Sequence, residues 1–312
     1  MGFFNRANKQ DSWLSLAIVR DGIAAASIAR GGARPVVQRA QFFAGFPDAQ
    51  ALDRAGKELR ANAFRITTLL GAGEYQLLAV DAPNVPADEM KTAVRWRLKD
   101  LLDFPVNDAT IDVLDISADP NAAVRPQRTM FVVAARNAVV AARQKLFGEA
   151  KVGLSVIDIP EMAQRNIAAM LEPEGRGLAM LTLGDDGGLL TVTYGAELYL
   201  SRRIDISLAS LADADDERRH QAFDRITLEL QRSLDNFERQ FSFVSVSRLV
   251  VGPSEAPDLA NYLSSNLYMP VDVLDLATLF DFSQTPELQK NSIQQKFLLP
   301  LGAALRTEER AQ

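Results

Sequence analysis

The residues best suited to chemistry are the carboxylates of Gly184-Asp185-Asp186-Gly187-Gly188. Two adjacent aspartates in a flexible, glycine-rich turn can hold a hydrated Mg²⁺, and without the metal they would repel a phosphate. The same five residues also make an ordinary hairpin turn, where Asp-Gly pairs are common. A second pair, Asp21-Gly22, lies between two apolar runs. It predicts a tight hairpin, because both residue types tolerate positive φ. A third turn, Gly252-Pro253-Ser254-Glu255-Ala256-Pro257, offers one hydroxyl, Ser254. Its Pro253 removes an N–H and stiffens the loop.

Other chemistries lack material. The chain has no cysteine, which excludes disulfides, thiolate metal sites and cysteine nucleophiles. The single histidine, His220, sits between Arg219 and Gln221 and reads as a surface residue. There is no GxxxxGK[ST] loop, GxGxxG fingerprint, HExxH or GxSxG elbow. Residues 213–219 (DADDERR) place acids at the positive end of the helix that follows, as a solvated cap. No catalytic residue and no metal-ligand set is assigned.

The 312 residues, 47% apolar and 24% charged, describe a globular protein of two domains or one large one. A net charge of −6 gives no basic footprint for nucleic acid and argues against a mainly electrostatic hold on membranes. No apolar run reaches the roughly 18 residues of a membrane span. The first ten residues lack a signal-peptide core, so a cytosolic chain is expected. Residues 1–12 read as a flexible N-terminus, although Phe3 and Phe4 beside Arg6 and Lys9 suit a membrane surface.

The turns must be positioned by strands. Residues 13–30 (WLSLAIVRDGIAAASIAR) give two apolar runs about Asp21-Gly22, and PVVQRAQFF follows as a third. Residues 178–204 (LAMLTLGDDGGLLTVTYGAELYLSRRI) repeat that order, with turns at 184–188 and Gly195-Ala196. Residue identity between the two stretches is low, so the shared organisation carries the comparison. Helices are predicted over 48–62, 87–103, the stretch from Pro160 to Leu171, 216–241, 258–267 and 293–306. In the fourth of these, Phe223, Ile226, Leu230, Leu234, Phe237 and Phe241 form one apolar stripe. Strands are predicted over 247–251 and 271–274. Glu172-Pro173-Glu174-Gly175-Arg176-Gly177 marks a lobe boundary. The pattern is a mixed α/β protein of two related lobes.

The helix over 87–103 ends in Asp103-Phe104-Pro105, as expected where a residue before proline avoids the helical region. Met90, Val94, Leu98, Leu101 and Leu102 share one face. Trp96 falls on the opposite side with Thr92, Lys99 and Asp103, so it needs a second surface, either a neighbouring subdomain or a docking partner.

Three segments in order carry a resemblance. They are DEMKTAVRWRLKDLLDFPVNDATIDVLDI with RTMFVVAARNAVVAARQKLFGEAKVGLSVIDIPEMAQRNI, then RLVVGPSEAPDLANYLSSNLYMPVDVLDL, then KFLLPLGAALR. Over most of residues 13–306 the chain resembles PilM-type pilus assembly proteins, and within them the MshI branch of mannose-sensitive haemagglutinin (MSHA) pilus biogenesis. The resemblance implies an actin-like, ribonuclease H-like α/β fold. A first lobe would span 13–172 with an inserted α+β subdomain at about 75–150, and a second lobe 173–306, whose C-terminal helix returns to the first. A tail, 307–312, would follow. It implies a scaffold peripheral on the cytoplasmic face of the inner membrane, binding the cytoplasmic tail of a PilN-like assembly protein and serving the assembly motor ATPase. In the inserted subdomain, Trp96, Phe104 and Pro105 are the partner-binding candidates.

The resemblance also implies a cleft for ATP and Mg²⁺ between the lobes' turns. Its candidate residues are Asp21 and Gly22, then Gly184, Asp185, Asp186, Gly187 and Gly188, then Gly252 and Ser254 at the adenine turn. This sequence departs from the active pattern. Ala17 stands where a first-strand aspartate is expected, and residues 23–26 supply no lysine. A chain degenerate for hydrolysis is therefore expected. A nucleotide-switched actin-like ATPase and a type II secretion component of the GspL kind are the alternatives.

Overall fold

The computed structural model describes residues 12–86, 88–118, 128–206, 208–211 and 215–307. The described residues open with a hairpin, β1 (Trp13–Val19) and β2 (Gly22–Ala29), continued by β3 (Val36–Ala44). Helix α1 (Ala49–Glu58) starts where Asp48 caps the backbone N–H of Ala51, and β4 (Arg65–Leu69) follows. Next come β5 (Tyr75–Asp81), α2 (Met90–Leu98), β6 (Ala109–Asp115), β7 (Thr129–Arg136), α3 (Asn137–Glu149), β8 (Leu154–Asp158) and α4 (Pro160–Ala168). The second half runs β9 (Gly177–Gly184), β10 (Gly187–Tyr194), β11 (Glu197–Ile204), α5 (Leu208–Leu211) and α6 (Asp216–Gln240). It closes with β12 (Val246–Val251), α7 (Pro257–Asn266), β13 (Val271–Val273) and α8 (Asn291–Ala304).

Two five-stranded sheets result, ordered β3-β2-β1-β4-β8 and β11-β10-β9-β12-β13. In each, an antiparallel three-strand meander pairs through its first strand with two parallel strands. Position for position, the second sheet repeats the first. Residues 70–146 form a separate compact unit, and the two large sheets belong to the other. In the small unit, β5-β7-β6 is antiparallel, and α2 packs on it through Met90, Val94 and Leu98.

The helices that close the large sheets are exchanged between them. Helix α4 follows β8 of the first sheet but lies on β9, β10 and β11. Helix α8 follows the second sheet but lies on β1, β2 and β4. Small side chains allow the second contact: Ala17, Ala24 and Ala26 face a cluster that includes Leu298, Leu301, Ala303 and Ala304. Where the two helices cross, a Cβ on Gly302 would lie 2.1 Å from the Ala163 carbonyl oxygen, so only glycine fits. Asn166 Nδ2 donates to the Gly302 carbonyl at 2.9 Å. Beyond β3, the main chain of Asp281 continues the first sheet, accepting from Val37 N at 3.0 Å and donating to Pro35 O at 2.9 Å.

Two details correct the sequence reading. The first hairpin turns on Arg20-Asp21, with Val19 paired to Gly22, and neither Asp21 nor Gly22 has positive φ. Gly22 is needed for close approach instead, since a Cβ there would lie 2.2 Å from Phe43 O. Helix α2 ends at Leu98, so Leu101 leaves the apolar face and is 53% exposed. The capping acids extend from Asp215, whose carboxylate accepts from Glu217 N and Arg218 N. Residues 213 and 214, like residues 1–11 and 308–312, lie outside the described residues.

Candidate functional site: three turns on one helix, and an exposed tryptophan

Two of the three turns singled out in the sequence follow equivalent strands, β1 and β9, the third follows β12, and α8 reaches each of them or the strand that leads into it. The first, Arg20-Asp21, follows β1. The Asp21 carboxylate lies 3.5 Å from Lys296 Nζ of α8, and that ammonium sits 3.6 Å from the centroid of the Phe42 ring. The second, Asp185-Asp186, joins β9 to β10 and uses Gly187 at φ +103°. Its neighbour Leu183 accepts from Gln295 Nε2 of α8 at 3.2 Å. The third begins at Gly252 after β12, where Gly252 N donates to Leu181 O at 2.8 Å. A Cβ on Gly252 would lie 3.0 Å from Thr182 and 3.4 Å from Leu298 of α8. Ser254 Oγ accepts from Ala256 N at 3.4 Å, inside its own turn. Gln295, Lys296 and Leu298 were not legible as site residues, because they sit about 275 positions from the first turn.

The donor set is lopsided. Asp185 and Asp186 are exposed, and their side chains make no hydrogen bond or ion pair among the described residues. Asp21 is engaged by Lys296, and Ala17 is 4% exposed within the apolar cluster under α8. Gly188 is buried against Ile204 and Leu183 rather than open to a ligand. A Mg²⁺-nucleotide gripped from both lobes needs carboxylate water-ligands and free N–H groups on each side. In the first-lobe turn the one carboxylate, Asp21, faces the Lys296 ammonium and no second carboxylate stands at Ala17, so these residues do not fit a site with matched carboxylates on both sides. Among the described residues no group of three or more His, Cys, Asp or Glu is placed to hold a metal ion.

Behind the turns, a buried polar network joins α4 to the second sheet. Gln164, fully buried, donates to Met180 O at 2.8 Å, Leu189 O at 3.2 Å and Thr191 Oγ1 at 2.9 Å. It accepts from Thr182 Oγ1 at 2.6 Å. Glu161 of the same helix is 1% exposed and meets Arg203 Nη2 at 3.3 Å. Asp158, at the end of β8, accepts from Arg306 Nη1 at 2.6 Å. These carboxylates are structural partners of arginines.

In the compact unit 70–146, Trp96 is 79% exposed on α2. Its neighbours are tied down on either side: Arg95 donates to Val106 O at 2.9 Å and Ala109 O at 3.0 Å, and Arg97 donates to Asp81 O at 2.6 Å. The indole therefore projects from a fixed frame. Phe104 is 7% exposed, packed in the cluster with Val94 and Leu98 under the Arg136 guanidinium. It supports the surface rather than offering its ring to a partner, while Pro105 next to it is exposed.

No family model matches the chain, and no curated protein does. Solved structures do. A structure described as the PilM-PilN type IV pilus biogenesis complex aligns with 96% of this chain and 98% of its own chain, at 21% identity and a TM-score of 0.73. A Bacteroides thetaiotaomicron protein with an actin-like ATPase fold and unknown function aligns with 93% of this chain and all of its own, at 7% identity and a TM-score of 0.51. The cytoplasmic domain of EpsL, an inner-membrane component of the type II secretion system of Vibrio cholerae, covers 66% of this chain and 76% of its own, at 18% identity and a TM-score of 0.42. The fold is therefore actin-like. Among the described residues, no helix is long and apolar enough to cross a membrane.

Proposed function

We propose that this chain is an actin-like scaffold of type IV pilus assembly, of the MSHA kind, which works by binding and not by hydrolysis. Its partner is the cytoplasmic tail of a PilN-like inner-membrane protein, which it holds in register with the assembly motor. The chain would accordingly sit on the cytoplasmic face of the inner membrane. The observation that carries this reading is the near-complete structural match to the PilM-PilN complex. The lopsided turns support the non-enzymatic part, since Asp21 faces the Lys296 ammonium and no carboxylate replaces Ala17. Trp96 and Pro105 are the proposed docking residues, held by Arg95, Arg97 and the buried Phe104.

The test is a calorimetric titration of the full chain with a synthetic PilN-type cytoplasmic tail. Saturable binding is expected, weakened about tenfold or more by Trp96→Ala if the indole is an anchor. No heat from a folded chain would defeat the proposal. Tails from MSHA and type II secretion counterparts, titrated side by side, separate the pilus assignment from the secretion alternative.

One observation favours the nucleotide-switched alternative: Asp185 and Asp186 are exposed and uncommitted. That reading requires Mg-ATP binding that Asp185→Ala/Asp186→Ala removes. The scaffold reading expects no Mg-dependent turnover from either protein.

A further inference from the structure

Helix α8 reaches the hairpins of both lobes through neighbouring residues. Gln295 reaches Leu183 O near the end of β9, two residues before the Asp185-Asp186 turn, at 3.2 Å. Lys296 reaches Asp21 in the β1–β2 turn at 3.5 Å and lies over Phe42 at 3.6 Å. Gln294, 1% exposed, accepts from Leu276 N at 2.7 Å and donates to Asp275 at 2.7 Å, which ties the start of the helix to the chain leaving β13. The far end is fixed as well. Arg306 pairs with Asp158 at 2.6 Å, and Arg30 donates to the carbonyls of Leu305 and Arg306. In between, Gly302 rests against Ala163.

We propose that α8 is an internal strut: the adjacent residues Gln295 and Lys296, both in the part of the helix before Pro300, join the end of β9 to the β1–β2 turn, so that the two lobes' hairpins open and close together without any ligand. Each contact is weak by itself. The Lys296–Asp21 pair is 41% and 61% exposed, and exposed pairs contribute little. They share a helix whose two ends are already fixed, however, so neither contact has to order α8 on its own. In the first turn, Asp21 faces a cation that arrives from α8. The inference is independent of the pilus reading, because no partner enters its test.

The test is hydrogen exchange followed by mass spectrometry on the full chain. Lys296→Met keeps an apolar stem over Phe42 and removes the charge. Exchange at residues 20–22 should rise about two- to fivefold, the range of an exposed ion pair. The distinguishing result is a matching rise at residues 184–187, which Lys296 does not contact among the described interactions. Gln295→Ala should act reciprocally, with a rise at both turns. The charge swap Asp21→Lys/Lys296→Asp should restore protection. A change confined to the substituted turn, or none, in variants with unaltered thermal unfolding would overturn the strut. Loss of the α8 fold in Lys296→Met would leave Gln295→Ala and the swap to decide it.

Discussion

Gln164 lies on a helix that follows the first sheet, yet all four hydrogen bonds of its side chain go to the second. Replacing it with leucine keeps the volume and leaves the Thr182 and Thr191 hydroxyls without their partner. A buried polar atom left unpaired costs about 1–3 kcal/mol, so Gln164→Leu should destabilise by about 2–4 kcal/mol in urea unfolding. Trp96→Ala should change stability by less than about 0.5 kcal/mol, because the side chain is already in water. A large loss there would mean that the indole is covered in solution. Asp281 gives a pH dependence. Its carboxylate accepts from Ser283 N at 2.8 Å, and hydrogen bonds from the Ser283 main chain and side chain, then the charge of Arg34, hold its pKa below the ordinary aspartate value. A depressed folded pKa means stability that is present above the unfolded pKa and lost as pH falls through the folded one. Asp281→Asn should therefore flatten the acid limb of the urea midpoint plotted from pH 5 to pH 2, with no change in its shape above pH 6.

At the scale of elements, the crossing of α4 and α8 depends on one missing Cβ. Gly302→Ala forces a methyl into the Ala163 carbonyl, and overpacking of this kind costs about 1–3 kcal/mol. Chemical denaturation of Gly302→Ala against Gly148→Ala, a glycine with open space around it, separates this clash from the general gain in helix propensity. Stability equal in the two variants would show that the helices do not cross as described. The elements were the most legible part of the sequence. The stripe from Phe223 to Phe237 specifies α6, and the apolar runs about Asp21 and about Asp185-Asp186 specify two meanders. Periodicity reports which face is buried, but not which partner buries it. That is why the exchange of α4 and α8 could not be derived from spacing, and why Lys296 went unnoticed as the partner of Asp21. The same limit applies at Gly22. Its residue type suggested a left-handed turn, whereas the approach of Phe43 O is what excludes a side chain. Phe104 was a docking candidate through the resemblance alone, and its ring packs into the cluster under α2, a burial that residue type and spacing did not report.

Across the whole molecule, the exchanged helices make the two large sheets one cooperative body. Residues of the first sheet, Ala17, Ala24 and Ala26, share a buried cluster with Met180 and Val250 of the second and with Leu298 and Leu301 of α8. Opening either sheet from its helix exposes that cluster, so neither half retains a closed core alone. Native-state hydrogen exchange should then report the same opening free energy for slow amides of β2 and of β10, although they lie in different halves of the sequence. Gly302→Val should lower both equally, since the strain enters at the shared crossing. The small unit, 70–146, has its own cluster around Val94, Leu98 and Met130 and its own three strands. Its slow amides should keep their wild-type opening free energy in Gly302→Val, giving two classes of protection in one chain. Protection in β10 that outlasts β2 would mean that the lobes open one at a time. In that case the matching topology of the sheets would reflect two domains in contact and not a single body closed by its own exchanged helices.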